Sequence, residues 1–94
     1  MTVRFEWDRT KASRNAVKHG VALEEAATVF RDPLALIFDD DVHSTEEFRE
    51  IIIGYSAQNR LLIVSFAERG DVIRIVSARK ADADERTSHE DARR

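Results

Sequence analysis

The chain has 94 residues, of which 43% are hydrophobic and 35% are charged, with a formal net charge of −3. This size and apolar content suit one hydrophobic core, so we predict a single domain over residues 1–94. The absence of cysteine excludes disulfides and thiolate chemistry, and the lack of a signal peptide or a long apolar run predicts a cytoplasmic protein with no membrane partner.

The N-terminal part of the chain is predicted to hold one short strand and two helices. Phe5–Trp7 has the character of a strand, and a helix follows over Lys11–His19 and ends at Gly20, which suits a left-handed C-cap. Three apolar residues share one side of this helix: Ala12, Ala16 and Val17. The second helix has a clear helical period in Leu23, Ala26, Ala27 and Phe30. It ends before Pro33, because the residue preceding a proline is kept out of the helical region.

Four segments after Pro33 have the apolar character of strands. They are Leu34–Phe38, Ile51–Ser56, Leu61–Ala67 and Val72–Ala78. A polar, acidic loop over 39–47 separates the first two, whereas short turns join the last three and make them antiparallel neighbours. Since these runs are apolar on both alternating faces, we expect helices over one face of the sheet, with a partner as a candidate cover for the other. The pattern predicts an α+β domain.

The C-terminal segment, 81–94, contains no apolar residue larger than alanine. Asp82 and Glu85 form a plausible helix start, and a helix would place Arg86, His89 and Arg93 on one face. Because this helix has little to bury, we expect it to be mobile or held by another molecule.

Candidate phosphate-binding groups lie on and before the last strand. Arg74 and Arg79 are an odd number of residues apart, so strand alternation predicts that they point to opposite faces. At the strand's end, the Arg79 guanidinium can bind a phosphate with two hydrogen bonds, and the Lys80 ammonium adds charge. Arg69 and Glu68 reach the same end of the sheet if the hairpin is tight. Such a cluster suits acid-base chemistry and charge stabilisation, or equally a surface salt-bridge network.

Of the three histidines, His89 is the best candidate for proton transfer, because we expect it to be exposed on the basic face of the last helix. We interpret His19 as a helix-end group and His43 as part of the acidic loop. Asp39, Asp41, His43 and Glu50 match some positions of a calcium loop, but Ser44 stands where the turn needs glycine. We therefore predict no metal site, and without a glycine-rich phosphate loop we predict no cofactor.

A set of residues along most of the chain resembles the BrnT toxin family. It comprises Phe5-Glu6-Trp7-Asp8, Lys11, Asn15, Lys18-His19-Gly20-Val21, Glu25-Ala26, Val29-Phe30, Asp32-Pro33, His43-Ser44, Gly54, Ser56 and Arg74-Ile75-Val76-Ser77-Ala78-Arg79. The resemblance spans residues 5 to about 86 and depends on the order and spacing of these residues together. One departure lies in the final helix, where the family has a tyrosine after Glu-Arg-x-x and this chain has His89.

The resemblance implies a ribonuclease toxin of a type II toxin–antitoxin pair. The implied fold is RelE-like, with two N-terminal helices packed on an antiparallel sheet of about four strands and a C-terminal helix. The implied activity is metal-independent cleavage of mRNA. The implied partner is a BrnA-like antitoxin with a ribbon-helix-helix DNA-binding part, so that operator DNA is bound only through the antitoxin.

Our leading hypothesis assigns each candidate residue a role in RNA cleavage. Arg79 would hold the scissile phosphate, Lys80 and Arg69 would stabilise negative charge, and His89 or Glu68 would transfer protons. The remaining basic candidates would bind RNA: Arg74, Arg86 and Arg93. The alternative is a non-catalytic, toxin-like module that binds an antitoxin or repressor partner.

Overall fold

Regular structure occupies ten short segments of the computed structural model, which describes residues 3–43 and 47–92. The strands are β1 (Arg4–Glu6), β2 (Leu36–Asp39), β3 (Glu50–Tyr55), β4 (Leu61–Arg69) and β5 (Val72–Lys80). The helices are α1 (Arg9–His19), α2 (Leu23–Thr28) and α3 (Ala83–Ala92), with 3-10 turns at Val29–Arg31 and Asp41–His43. No helix in this described part is long and apolar enough to span a membrane.

The strands form one sheet in the order β1-β5-β4-β3-β2. Neighbours from β2 to β5 are antiparallel, and β1 pairs with the start of β5 in parallel. Two residues connect β4 to β5, and Gly70 takes a positive φ of 62° there, which a hairpin turn this tight requires. The predicted α+β class is confirmed. The sheet has five strands rather than about four, because β1 joins it through β5.

Helices α1 and α2 cover one face of the sheet. The predicted period of the second helix is confirmed, since Leu23 and Ala26 are fully buried and Phe30 packs against the core. The Phe30 ring lies edge-on to Phe66 at a centroid distance of 4.9 Å and tilted against Phe5 at 5.2 Å. This aromatic cluster fixes the second helical segment to strands β1 and β4.

The buried side of α1 differs from the predicted one. Val17 is 89% exposed and Ala16 is exposed, whereas Asn15 is 6% exposed. The Asn15 Nδ2 donates to the carbonyls of Val21 and Ala78, at 2.9 Å each, and its Oδ1 accepts the Ala78 amide at 3.0 Å. The edge of β5 needs hydrogen-bond partners beyond the end of β1, and an asparagine satisfies that need where an apolar residue would not.

A β-bulge changes the alternation of β5. Ser65 pairs with Ser77 and the next residue, Phe66, pairs with Ile75, so Val76 is an extra residue on β5. As a result Ile75 and Ala78, three positions apart, both point into the core. Their neighbours Arg74 and Arg79 consequently lie on the same, opposite face. The prediction that these two arginines point to different faces is wrong, because it assumed an unbroken period of two.

Helix α3 lies over this second face of the sheet and buries one residue of its described part, His89. Its His89 is 3% exposed and packs edge-on to Tyr55, while the Tyr55 hydroxyl hydrogen-bonds to Glu90. At the helix start the Glu85 amide donates to Asp82 Oδ1 at 2.7 Å, and the Asp82 amide donates to Glu85 Oε1 at 2.9 Å. The burial of His89 was not predicted, because apolar residues were sought on this helix. The expectation that the helix is mobile or held by another molecule stays a prediction.

Candidate functional site

A cleft of about 290 Å³ opens on the face of the sheet opposite α1 and α2. We call it the central cleft. Its polar lining comes from five elements or their flanks: His19, Asp40, His43, Arg49, Ser65, Ser77 and Arg79. Apolar side chains of the strands line the rest, including Ile51, Ile63 and Val76. The cleft therefore gathers two histidines and two arginines over an apolar sheet face.

The fold brings these groups together from distant parts of the sequence. His19 ends α1, and the Asn15 hydrogen bonds one turn earlier hold that helix against β5. Ser77 and Arg79 face the cleft because the bulge at Val76 has shifted the alternation of β5. In this sequence, the position of Arg79 in the cleft thus depends on Val76 being accommodated as a bulge.

His43 is oriented by a buried carboxylate. Asp40 is 9% exposed, and its Oδ2 and Oδ1 lie 2.9 and 3.2 Å from His43 Nδ1. Because an ionised carboxylate only accepts hydrogen bonds, Nδ1 carries the proton and Nε2 is the acceptor of the neutral ring. The His43 side chain is 64% exposed. The pair therefore presents a proton-accepting nitrogen that solvent and solutes can reach.

Arg79 is held by Glu85 at the start of α3. Its Nη1 and Nη2 each donate to one carboxylate oxygen of Glu85 at 2.8 Å. The Arg79 hydrogen bonds, helped by the Asp82 amide, lower the pKa of Glu85 to about 2. This two-point pairing has the geometry with which a guanidinium binds a phosphate. Because both Nη atoms already donate to Glu85, a phosphate that enters the cleft would meet the N–H groups that this pairing leaves over, on Nε and Nη2.

A second, strongly polar cleft of about 460 Å³ adjoins the central one. We call it the hairpin-side cleft, and its lining is Lys11, His43, Glu47, Arg49, Arg69, Arg74 and Val76. The Arg69 Nε donates to Glu47 at 2.6 Å and lowers the pKa of that carboxyl. Glu6 lies 3.7 Å from Arg69 and 3.5 Å from Arg74. Since His43, Arg49 and Val76 line both clefts, the two form one continuous groove.

The structure separates several residues that the sequence analysis grouped. Arg69 pairs with Val72 at the hairpin end of β5, whereas Arg79 is seven residues further along that strand. Because Val76 is an extra residue, these seven positions correspond to six residues of β4, which at about 3.3 Å per residue puts the two backbones about 20 Å apart. The prediction that Arg69 and Glu68 share one end of the sheet with Arg79 is wrong. Glu68 lies instead near Glu50, whose pKa is raised first by burial and then by the charge of Glu68.

The remaining predicted residues lie elsewhere. Lys80 and Arg86 line a hollow of about 350 Å³, together with Tyr55, Asn59, Arg60 and Leu61, and it shares no lining residue with the central cleft. His89 is buried, and neither ring nitrogen has a hydrogen-bond partner within residues 3–43 and 47–92. The prediction that His89 is exposed is therefore wrong. Arg93 and Ser44 lie outside the described residues.

Sequence reasoning missed the two histidines of the central cleft. Asp40 and His43 are three residues apart, a spacing that places two side chains on the same side of a helical turn. This spacing is the sequence pattern that would have indicated a histidine oriented by a carboxylate. From the sequence, His43 was considered only as part of the acidic loop and as a possible metal ligand beside Asp39 and Asp41, and Asp40 was not considered. Glu25 was also missed. It is buried, accepts hydrogen bonds from Arg60 Nε at 2.9 Å and Ser56 Oγ at 2.7 Å, and has its pKa lowered mainly by Arg60.

The fold is that of a known ribonuclease toxin. The chain superposes on the 1.1 Å crystal structure of the Brucella abortus ribonuclease toxin BrnT with a TM-score of 0.66, over 86% of this chain and 99% of that one, at 23% sequence identity. A search of curated protein sequences returned no match. Residues 7–85 match the sequence model of the family described as the ribonuclease toxin BrnT of type II toxin–antitoxin systems. The chain belongs to this family, and membership implies an antitoxin partner.

Proposed function

We propose that this protein is an endoribonuclease that cleaves mRNA without a metal ion and that the central cleft is its active site. One observation carries the proposal. In a member of a ribonuclease toxin family, Arg79, Arg49 and the Asp40-oriented His43 surround one accessible cleft. A base, a second histidine and two cations are the groups that cleavage by the RNA's own 2′-hydroxyl requires.

The proposed reaction is an in-line transesterification. His43 Nε2 removes the proton of the 2′-hydroxyl, whose oxygen forms a bond to the adjacent phosphorus. The bond from phosphorus to the 5′-oxygen of the next nucleotide breaks, and that oxygen takes a proton from His19. The products are a 2′,3′-cyclic phosphate and a 5′-hydroxyl. Arg79 and Arg49 stabilise the charge that develops on the phosphoryl oxygens.

The other basic candidates keep binding roles in this proposal where the geometry supports them. Arg74 and Arg69 lie in the hairpin-side cleft and would hold the RNA strand next to the scissile phosphate. Lys80 and Arg86 line a separate hollow, so we assign them no part in the chemistry. Glu68 and His89 have no role in proton transfer in this proposal. Glu68 lies on β4, beside the hairpin end of β5 and away from the cleft, and His89 is buried.

The test is RNA cleavage by the toxin freed of its antitoxin. We expect His43→Ala and Arg79→Ala to lower kcat by about 10²–10⁴-fold, the range for removing a general base or a charge-stabilising group. Arg4→Ala is the matched control, because its exposed side chain on β1 lines neither cleft. Cleavage should persist in EDTA and stop when the scissile nucleotide is 2′-deoxy. Wild-type rates for both cleft variants would refute the site, and loss of activity in EDTA would refute metal independence.

We infer further that the antitoxin is BrnA-like, with a ribbon-helix-helix part that binds operator DNA on behalf of the complex. Family membership supports this partner. Co-expression with the adjacent reading frame, followed by mass measurement and an operator-binding assay, tests it. Operator binding by the toxin alone would contradict the inference. Stable complex formation by a wild-type toxin that neither cleaves RNA nor arrests growth would instead support a non-catalytic module.

A further inference from the structure

Helix α1 carries the densest positive charge among the described elements. Its 11 residues include four cations and no acidic side chain. Three of them recur at i, i+3 and i+7 and form what we call the α1 stripe: Lys11, Arg14 and Lys18. All three are exposed, and none has an ion pair or side-chain hydrogen bond to another residue in the described ranges. By contrast, Arg69, Arg74 and Arg79 are each paired with a glutamate.

The α1 stripe borders the proposed active site directly. It lines a shallow hollow of about 260 Å³ between α1 and β5, together with Asn15, His19, Val76 and Ser77. His19, Val76 and Ser77 also line the central cleft, and Lys11 and Val76 also line the hairpin-side cleft. No element separates the stripe from the groove, so a chain that leaves the central cleft past His19 runs onto α1.

Charge on the two sides of the central cleft favours one direction for a polyanion. Helix α3, on the Arg79 side, contains four acidic residues and one arginine. Helix α1, on the His19 side, contains only cations among its charged residues. A phosphate backbone is therefore repelled by α3 and attracted by α1, although the chain as a whole is net negative.

The spacing of the α1 stripe suits a backbone rather than a base. At 1.5 Å per residue, its cations are separated by about 4.5 and 6 Å along the helix axis, within reach of successive phosphates through long side chains. Apart from His19, which the proposed reaction uses, no aromatic ring lies on α1 to stack on a base. Phosphate contacts of this kind position a strand without reading its sequence.

We propose that the α1 stripe binds the phosphate backbone of single-stranded RNA on one side of the scissile bond. The stripe would hold about three phosphates independently of sequence. This inference rests on the proposed function of the central cleft and adds to it the class of substrate, an extended single strand rather than a short oligonucleotide.

The test compares two variants with the same change in charge. The first replaces Lys11, Arg14 and Lys18 with glutamine. The second, the control, replaces Arg4, Arg9 and Arg31, which are exposed and lie off the stripe. Arg9 is the internal control, since helical geometry places it on the opposite side of α1 from the stripe. Both variants are checked for folding by urea unfolding.

Binding is measured on a 2′-O-methyl RNA of about 12 nucleotides, a length within the range of single-strand sites. For the stripe variant we expect the slope of log affinity against log salt to fall by about 2, since each lost phosphate contact removes about 0.7. Cleavage of a dinucleotide, which is too short to reach all of the stripe, should fall less than cleavage of a long RNA. An unchanged slope, or an equal fall in the control variant, would overturn the proposal, as would loss of antitoxin binding with RNA binding intact.

This design distinguishes failure of the proposed active site from failure of the stripe proposal. If the wild type cleaves no RNA, the active-site proposal fails, but binding to the uncleavable RNA still reports on the stripe. If the wild type cleaves and the stripe variant binds the long RNA like the control variant, only the stripe proposal fails.

Discussion

Replacing Asn15 with alanine tests whether one side chain joins α1 to β5. The amide of Asn15 makes three buried hydrogen bonds, two as donor to the carbonyls of Val21 and Ala78 and one as acceptor from the Ala78 amide. Alanine leaves these three backbone groups without their partner. The helix propensity of alanine favours the substitution, so any loss of stability has to come from the broken contacts.

The expected loss follows from those three groups. A buried polar group left unsatisfied costs about 1–3 kcal/mol, and water that enters at the edge of β5 will recover part of it. We therefore expect Asn15→Ala to lower the free energy of unfolding by about 3–5 kcal/mol, a large share of the 5–15 kcal/mol that is about the usual total. Asn15→Asp should be at least as damaging, because it turns a carboxylate towards two carbonyl oxygens.

Urea unfolding followed by far-ultraviolet circular dichroism measures this loss. For a domain of this size the expected change corresponds to a midpoint lower by about 2–3 M, given an m-value of about 1.5 kcal/mol/M. Ser13→Ala is the control, since Ser13 is exposed on the same helix, and surface changes of this kind stay within about 0.5 kcal/mol. Unfolding of Asn15→Ala at the midpoint of Ser13→Ala would show that these hydrogen bonds do not hold the helix to the sheet.

Three further substitutions test other contacts by the same unfolding assay. Gly54→Ala should cost about 1–3 kcal/mol, because the new Cβ would lie 2.8 Å from the nearest side-chain carbon; a neutral result would contradict the close packing. Arg60→Met should lower the midpoint about as far as Asn15→Ala does, because it leaves the Glu25 carboxylate buried without its cation. Recovery of stability in this variant below pH 4.5, where the carboxyl takes a proton, would identify the unpaired charge as the cause. For Glu85, the folded pKa of about 2 lies below the ordinary 4.5, so its pairing with Arg79 stabilises the fold above pH 4.5 and is lost as the pH falls towards 2. The advantage of wild type over Glu85→Gln should vanish across that range, and a pH-independent difference would contradict the pairing.

The elements that the sequence predicted well are those whose side chains follow a regular period. The second helix repeats apolar residues at helical spacing, and its Leu23 and Ala26 are buried as that period requires. The three C-terminal strands are joined by turns too short for any arrangement but antiparallel neighbours, and β3, β4 and β5 pair in that way. Local patterns suffice where local geometry decides the outcome.

Predictions failed where a distant contact outweighed the local pattern. Val17 is apolar but exposed, while Asn15 is polar but buried, because the edge of β5 needs hydrogen-bond partners that only the tertiary structure reveals. His89 is buried for a similar reason, since the surface it covers around Tyr55 is created by the sheet. The composition of a helix alone does not show which surface the rest of the chain provides for the helix to pack against.

The candidate site was only partly predictable. Arg79, which was selected from its position at a strand end, lines the central cleft, and its role in binding a phosphate stays a proposal. The cleft histidines come from α1 and from the turn before β3, and no period in the sequence connects either with β5. Their proximity depends on strand order, which short-range patterns do not encode.

The bulge at Val76 sets which face of the sheet each later residue of β5 occupies. Deleting Val76 would place Ser77 directly after Ile75 and keep the pairs Ser65–Ser77 and Ile63–Arg79, so Arg79 would stay on the cleft face. Losing the bulge while keeping Val76 would instead slip the strand by one residue, turn Arg79 towards the helices and bring Lys80 to the cleft face. A slip of one residue would therefore exchange a guanidinium for an ammonium at the proposed phosphate site without any change in sequence. When relatives are compared, the arginine that corresponds to Arg79 is the one that directly follows a buried residue of the last strand and points to the cleft face. This orientation identifies it better than its position in an ungapped alignment.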